Sequence, residues 1–297
     1  MKLIKNKNNM KTSKSKIVLL GTGLLGSSIA ERLLLKDFDL TVWNRTLDKC
    51  RKLKDLGAKL IKSIDDINQD HEVIIFVMRD GEVTSKVISE ISSLKNKLII
   101  QMGTIGSSFS KKIENYVIQQ GGFYLEAPVL GSVKESLNGE LIIMVGGNSL
   151  KFKEYEILFK ALSNKYHFLG DVVDASSTKL ALNYLIASLT HSFSNILKFV
   201  EFKNIDIEKF MEILRDSSLY APTFDKKLGR MKSGDYNNPN FNVNNLSKDI
   251  SLFLEEVISA NFEIDSIKEI DKLIKKSKKF GLQKKDYSII HKLTSKI

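Results

Sequence analysis

Cysteine is all but absent from this chain. Cys50 stands alone among 297 residues, so no internal disulfide can form, and a reducing compartment, the cytoplasm, is the expected location. Histidine is scarce too: His71, His167 and His191 stand at no metal-ligand spacing with one another or with Cys50, so no metal site is expected. There is no nucleophilic triad and no Walker-type lysine. No apolar run approaches the roughly 18 residues that a membrane span needs. The apolar stretches that do occur, such as 73–78 and 141–145, have the length of buried strands. The Lys- and Asn-rich start lacks the apolar stretch of a secretory signal, and residues 1–15 are expected to form a disordered basic tail. The formal net charge is +11, with 42% hydrophobic and 27% charged residues. Lysines are spread along the chain with little arginine or aromatic interleaving, which describes a solvated surface. Neither a membrane nor a nucleic acid is an expected partner.

What is present is an alternation. Short apolar runs at 16–20, 40–43, 73–78, 98–102, 123–126 and 141–145 read as strands. Segments of helical periodicity separate the first of them, at 24–36, 47–56, 83–94 and 108–120, with Gly57 and Gly121-Gly122 as stops. This βαβ order predicts an α/β, Rossmann-type, doubly wound parallel sheet as the N-terminal domain, over 16–173. From Asp174 the signals are nearly all helical, predicting an all-α C-terminal domain over 174–297. Residues 174–203 read as one long helix with Leu182, Leu185, Leu189, Phe193, Ile196 and Val200 on an apolar stripe. Asp206 is the expected N-cap of the next helix. Residues 220–241 hold two of the three prolines and read as irregular with a short helix. Helices are expected again at 245–260, 265–280 and 286–294.

The sharpest motif is Gly21-Thr22-Gly23-Leu24-Leu25-Gly26, a G-x-G-x-x-G that follows a strand and opens an amphipathic helix. That is the context in which such a loop holds a dinucleotide. The first glycine makes the tight turn, the second lets backbone approach a pyrophosphate, and the third allows close helix–sheet packing. The second strand runs into Asn44-Arg45-Thr46. An acid is usual here when the ribose 2′-hydroxyl of NAD is bound. None is present, and Arg45 instead suits a 2′-phosphate, with Asn44 and Thr46 as hydrogen-bond donors. NADP(H) is therefore expected in preference to NAD(H).

Several ordered blocks together resemble the β-hydroxyacid dehydrogenases, the family of 3-hydroxyisobutyrate dehydrogenase, related to 6-phosphogluconate dehydrogenase. They are the loop at 21–26; Phe76-Val77-Met78-Arg79-Asp80; Met102-Gly103-Thr104-Ile105; Glu126-Ala127-Pro128-Val129-Leu130-Gly131-Ser132 with Gly139-Glu140-Leu141 and 144–147; Thr178-Lys179 through Asn183; Lys248-Asp249; and Gly281 with Asp286-Tyr287-Ser288. The stretch from Gly131 to Leu141 and its following isoleucines most resembles the glyoxylate/succinic semialdehyde reductase branch.

The resemblance implies a small aldehyde or keto acid reduced to a hydroxy acid. It implies Lys179 as the catalytic acid/base, with Asn183 one helical turn on. An ammonium can protonate a developing alkoxide when burial and nearby cations lower its pKa. Gly131 and Ser132 would offer backbone N–H groups to the substrate carboxylate, with Leu130 where a serine is usual. Thr104 would touch cofactor and substrate. Val77, Met78 and Lys248 would line the cofactor. Gln101 stands where the family often has Asp, and Gly103 where a serine or other small polar residue is usual. A homodimer or homotetramer built through the helical domain is implied. Two other readings stay open: a same-scaffold reductase for an imine or a larger apolar substrate, motivated by Leu130, and a non-catalytic cofactor- or nucleic-acid-binding module.

Overall fold

The computed structural model describes residues 15–294; apart from Ser15, the expected basic tail lies outside them. Contacts divide the chain into two compact units that meet at Lys179 and Leu180.

The first unit runs β1 (Lys16–Leu20), α1 (Leu24–Leu34), β2 (Leu40–Trp43), α2 (Arg51–Asp55), β3 (Lys59–Leu60), β4 (His71–Phe76), α3 (Gly81–Ser89), β5 (Leu98–Gln101), α4 (Ser107–Gln119), β6 (Phe123–Glu126), β7 (Val129–Leu130), α5 (Val133–Asn138), β8 (Ile142–Gly147), α6 (Ser149–Glu154), α7 (Glu156–Leu162) and β9 (Lys165–Gly170). The strands form one sheet in the order β3-β2-β1-β4-β5-β6-β8-β7, with β9 paired to β8. From β3 to β6 every pairing is parallel.

The continuous apolar strands are explained by the two-residue period of a strand. Along β1, Ile17 and Leu19 enter one core while Val18 and Leu20 enter the other. Val73 and Ile75 of β4 separate in the same way from Ile74 and Phe76. Each such side chain contributes about 1.5–3 kcal/mol of burial, so both faces must be covered and the helices supply the cover.

The all-parallel pattern ends at β8, which runs antiparallel to β6 and to β7. The link 131–141 holds only the short α5, less than the dozen or so residues of a parallel crossover, so the chain turns back instead. The strand β9 gave no clear sequence signal because it is an exposed edge whose alternation is blurred by Phe168 and Leu169 facing solvent.

A 31-residue helix, α8 (Val172–Phe202), leads into the second unit. There follow α9 (Ile207–Asp216), α10 (Pro222–Ser233), α11 (Val243–Ser259), α12 (Asp265–Lys279) and α13 (Ile290–Leu293). Asp206 caps α9 as expected, accepting from Lys209 N at 3.0 Å. Within 220–241 the short helix is α10, which Pro222 enters in the first turn, where its missing N–H costs nothing. The stripe expected on α8 is rotated. Phe193, Leu197 and Val200 are buried, whereas Leu185 and Ile196 are exposed. Small polar residues, Thr190 and Ser194, fill the buried face in their place. Asp286 is enclosed by its own unit, accepting from Lys227 Nζ at 2.9 Å on both oxygens and from Ser288 N at 3.0 Å. Among the described residues no helix is long and apolar enough to cross a membrane.

Candidate cofactor and catalytic residues

The C-terminal ends of β1, β2, β4 and β5 bring the expected dinucleotide residues of the first unit together. Gly21 adopts φ +102°, and a Cβ on it would lie 2.5 Å from Val77 O. A Cβ on Gly26 would lie 1.9 Å from Gly21 O. Both glycines are thus demanded by the protein's own packing. Gly23 is different: a Cβ there would meet nothing within 4 Å. It is the N-cap of α1 and has no side chain to cap the first-turn N–H groups with. Open space in front of a bare helix N-terminus fits an incoming pyrophosphate. By contrast α3 is closed by its own cap, Asp80, which accepts from Val83 N at 3.0 Å.

The loop is tied to its neighbours. Val77 N donates to Leu20 O at 2.9 Å, and Met78 Sδ approaches the Gly21 Cβ position at 3.4 Å. Gly103 presses so closely on Met78 that a Cβ would lie 2.3 Å from Met78 O. That accounts for glycine where a serine was the family expectation. Thr104 follows directly, half-buried.

Asn44 is committed to the scaffold. Its Oδ1 accepts from Thr22 N at 3.2 Å and its Nδ2 donates to Thr46 O at 3.0 Å. Arg45 and Thr46 are exposed, and Arg45 forms no ion pair among the described residues. Of the three, only Asn44 has its side chain tied to the loop. Sequence reading gave Cys50 no place at the loop, yet it is buried with its Sγ 3.4 Å from Thr22 Oγ1.

Leu130 ends β7, half-buried and in register with Ile142. Gly131 turns the chain at φ +124°. Ser132 already has a partner that sequence reading did not foresee: Glu135 Oε2 accepts from Ser132 N at 2.9 Å and from Ser132 Oγ at 2.8 Å. The serine–glutamate spacing of a capping box was the available signal. A substrate carboxylate at this turn has to displace Glu135 or use Gly131.

Lys179 and Asn183 lie one turn apart on α8, at 8% and 2% exposure. Lysine is almost never this buried without a reason. In the second unit Asn183 Nδ2 donates to Asp249 Oδ2 at 2.6 Å. The other oxygen of Asp249 pairs with Lys248 Nζ at 2.8 Å. Asp249, a neighbour in the sequence motif, is thereby the buried anion that joins Asn183 to Lys248. The i, i+1 spacing of Lys248 and Asp249 carried no sign of this, because the link to Asn183 crosses 66 residues.

Residues 16–170 match the NAD-binding domain of 6-phosphogluconate dehydrogenase, and residues 174–294 match the NAD-binding family of NADP-dependent 3-hydroxyisobutyrate dehydrogenase. Glyoxylate/succinic semialdehyde reductase 1 of Arabidopsis thaliana is 28% identical over 276 residues, covering 91% of this chain and 95% of the relative. The cytokine-like nuclear factor N-PAC of Drosophila melanogaster is 27% identical over 279 residues, covering 91% of this chain, which spans only 46% of that relative's length. The fold is shared with 3-hydroxyisobutyrate dehydrogenase from Mycobacterium tuberculosis, at TM-score 0.85 and 16% identity over 95% of this chain and all of that one. With both parts of the chain matched in order, it belongs to the β-hydroxyacid dehydrogenase family.

Proposed function

We propose that this chain is an NADP(H)-dependent reductase of a small aldehyde or keto acid, with Lys179 as general acid. The observation that carries this reading is the burial of Lys179 together with Asn183, whose amide Asp249 holds in place. When bound, a reduced nicotinamide supplies the hydride. The Lys179 ammonium donates a proton from Nζ to the alkoxide oxygen that forms. Within the second unit, Asp249 fixes the Asn183 amide and holds Lys248. The loop at 21–26 binds the pyrophosphate, and Arg45 takes the 2′-phosphate. Glyoxylate and succinic semialdehyde are the first substrates to try, because the relative named for them matches along nearly its whole length.

The deciding experiment is a substrate panel read by NADPH oxidation: glyoxylate, succinic semialdehyde, methylmalonate semialdehyde, tartronate semialdehyde and cyclic imines. Lys179→Ala should abolish turnover while NADPH still binds. Near-normal kcat in that variant removes the mechanism, and activity on imines alone replaces the substrate class.

The half-length match to a nuclear factor supports a second reading, a non-catalytic module that binds cofactor or duplex nucleic acid. Failure to bind duplex at moderate salt ends it. We also place the protein in the cytoplasm as a homodimer or homotetramer. The exposed Leu185, Ile196, Phe199 and Phe202 on α8 support self-association. A monomer by light scattering contradicts it.

A further inference from the structure

Gln101 closes β5 and Glu126 closes β6, and the parallel register pairs them. Parallel neighbours in register direct their side chains to the same face of a sheet. Both residues are fully buried. Glu126 Oε2 accepts twice, from Ser110 Oγ on α4 and from Tyr124 Oη at 2.7 Å. Its Oε1 has no partner, and neither has Gln101 Oε1. The amide of Gln101 cannot simply be turned over to repair this. Its Nε2 donates to Gly103 O at 3.1 Å, and a flipped amide would set two carbonyl oxygens against each other. Two buried acceptors without donors, on register-paired side chains, are costly as they stand. A single proton satisfies both.

We propose that Glu126 is carried as a neutral carboxylic acid whose Oε1–H donates to Gln101 Oε1, and that this proton positions the turn at residues 102–104. The hydrogen bonds then form one chain: Ser110 and Tyr124 donate to Glu126, Glu126 to Gln101, and Gln101 to Gly103 O. Gly103 is the residue wedged against Met78 O, and Thr104 comes next. The acid proton therefore ties α4 and β6 to the turn at 102–104, where Gly103 packs on Met78, a neighbour of Gly21. Glu126 acts here as a positioning residue, independently of which substrate the chain takes.

Burial agrees with the geometry. It pushes the Glu126 carboxyl up to about 8, against the opposing pull of the Ser110 and Tyr124 hydrogen bonds. The titratable group facing it from β6 is Tyr124, itself driven well up by burial, and Glu114 on α4 acts on Tyr124 in the same direction. The register partners on β5 and β8, Gln101 and Gly146, do not titrate. A folded-state pKa above the unfolded value means that the stabilising contribution is full below the ordinary carboxyl range and is lost as pH rises through about 8.

The test uses the full chain. At about pH 7, where ordinary carboxyls are ionised, the wild type should show an infrared band of a protonated carboxyl. Glu126→Gln should lack that band, and Gln101→Leu should move it to higher wavenumber by removing the acceptor. Glutamine at 126 reproduces the neutral acid's donor and acceptor. Glu126→Gln should therefore melt at or above the wild type, with the gap widening as pH approaches about 9. NADPH affinity, read by fluorescence titration, should weaken several-fold over that range in the wild type and stay flat in Glu126→Gln. A wild type without the band overturns the neutral acid, as does a Glu126→Gln chain that fails to fold or follows the wild-type melting profile. A band with parallel NADPH profiles in the two proteins overturns the positioning of the turn.

Discussion

Asp249 receives the side-chain amide of Asn183 at 2.6 Å, and both residues are 2% exposed. One buried carboxylate thereby decides where the Asn183 amide points, and its second oxygen holds Lys248. Asp249→Leu should leave Asn183 and Lys248 without this partner. We expect kcat/KM to fall by about 100-fold, the loss associated with small misplacement of a reacting group, and stability to fall by about 1–3 kcal/mol. Asp249→Asn, which keeps an acceptor, should lose less of both. Steady-state kinetics beside thermal melts check this, and unchanged kcat/KM in Asp249→Leu would remove the positioning role.

The glycines of the loop should separate into two kinds. Gly23→Ala meets no atom of the chain, so its melting temperature should match the wild type while the NADPH Kd rises about tenfold, or 1.4 kcal/mol. Gly26→Ala drives a methyl into Gly21 O and should cost about 1–3 kcal/mol of stability even without cofactor. Calorimetry with and without NADPH distinguishes them. Equal destabilisation of both variants would contradict the assignment of Gly23 to the ligand.

Cofactor choice rests on Arg45, exposed at the end of β2 with no carboxylate beside it in the sequence. Arg45→Asp should raise the Kd for NADPH by at least about tenfold and leave that for NADH within about twofold. Fluorescence titrations with the two cofactors measure this, and equal losses for both would end the NADP(H) assignment.

An acid limb of stability should arise at the opposite end of β4. His71 Nδ1 accepts from Asn68 N at 3.2 Å, and Lys97 Nζ donates to Asn68 O at 2.7 Å and His71 O at 2.8 Å. Burial first, then the charges of Lys97 and Lys16, hold the imidazole below its ordinary value of 6.5. The folded pKa is depressed, so stability is full above 6.5 and declines as pH falls through the lower folded value. In His71→Gln the melting temperature should lose this pH dependence in urea or thermal scans. A variant that keeps the wild-type acid limb would place its origin elsewhere.

Much of the fold was legible because burial on both sides writes itself as an unbroken apolar run. The strands β1, β4 and β5 read from such runs, and the helices between them read from their spacing. The less legible elements lacked that contrast. Exposed β9 has no inner face to mark, and β8 reversed direction because of a short link rather than any residue type. On α8 the apolar positions were visible, but small polar residues fill the buried face and leave Leu185 and Ile196 outside. Of the site, Gly21, Gly23 and Gly26 were legible because a tight turn and a close backbone approach admit few other residues. The partners of Ser132 and Asn183 were harder to see. Glu135 lies in a short helix that no sequence expectation marked, and the bond from Asn183 to Asp249 crosses 66 residues.

By itself the sequence determined the parallel core, the succession of sheet and helices, and a loop shaped for a dinucleotide. Those depend on local periodicity and on the conformational freedom of single residues, both of which are written in short windows of chain. The tertiary structure decided which polar groups are already spoken for. It brought Asp249 to Asn183, gave Ser132 to Glu135, and set Glu126 beside Gln101 with one proton to share. A hydrogen bond between distant residues forms only once folding has removed the water that would otherwise satisfy both ends.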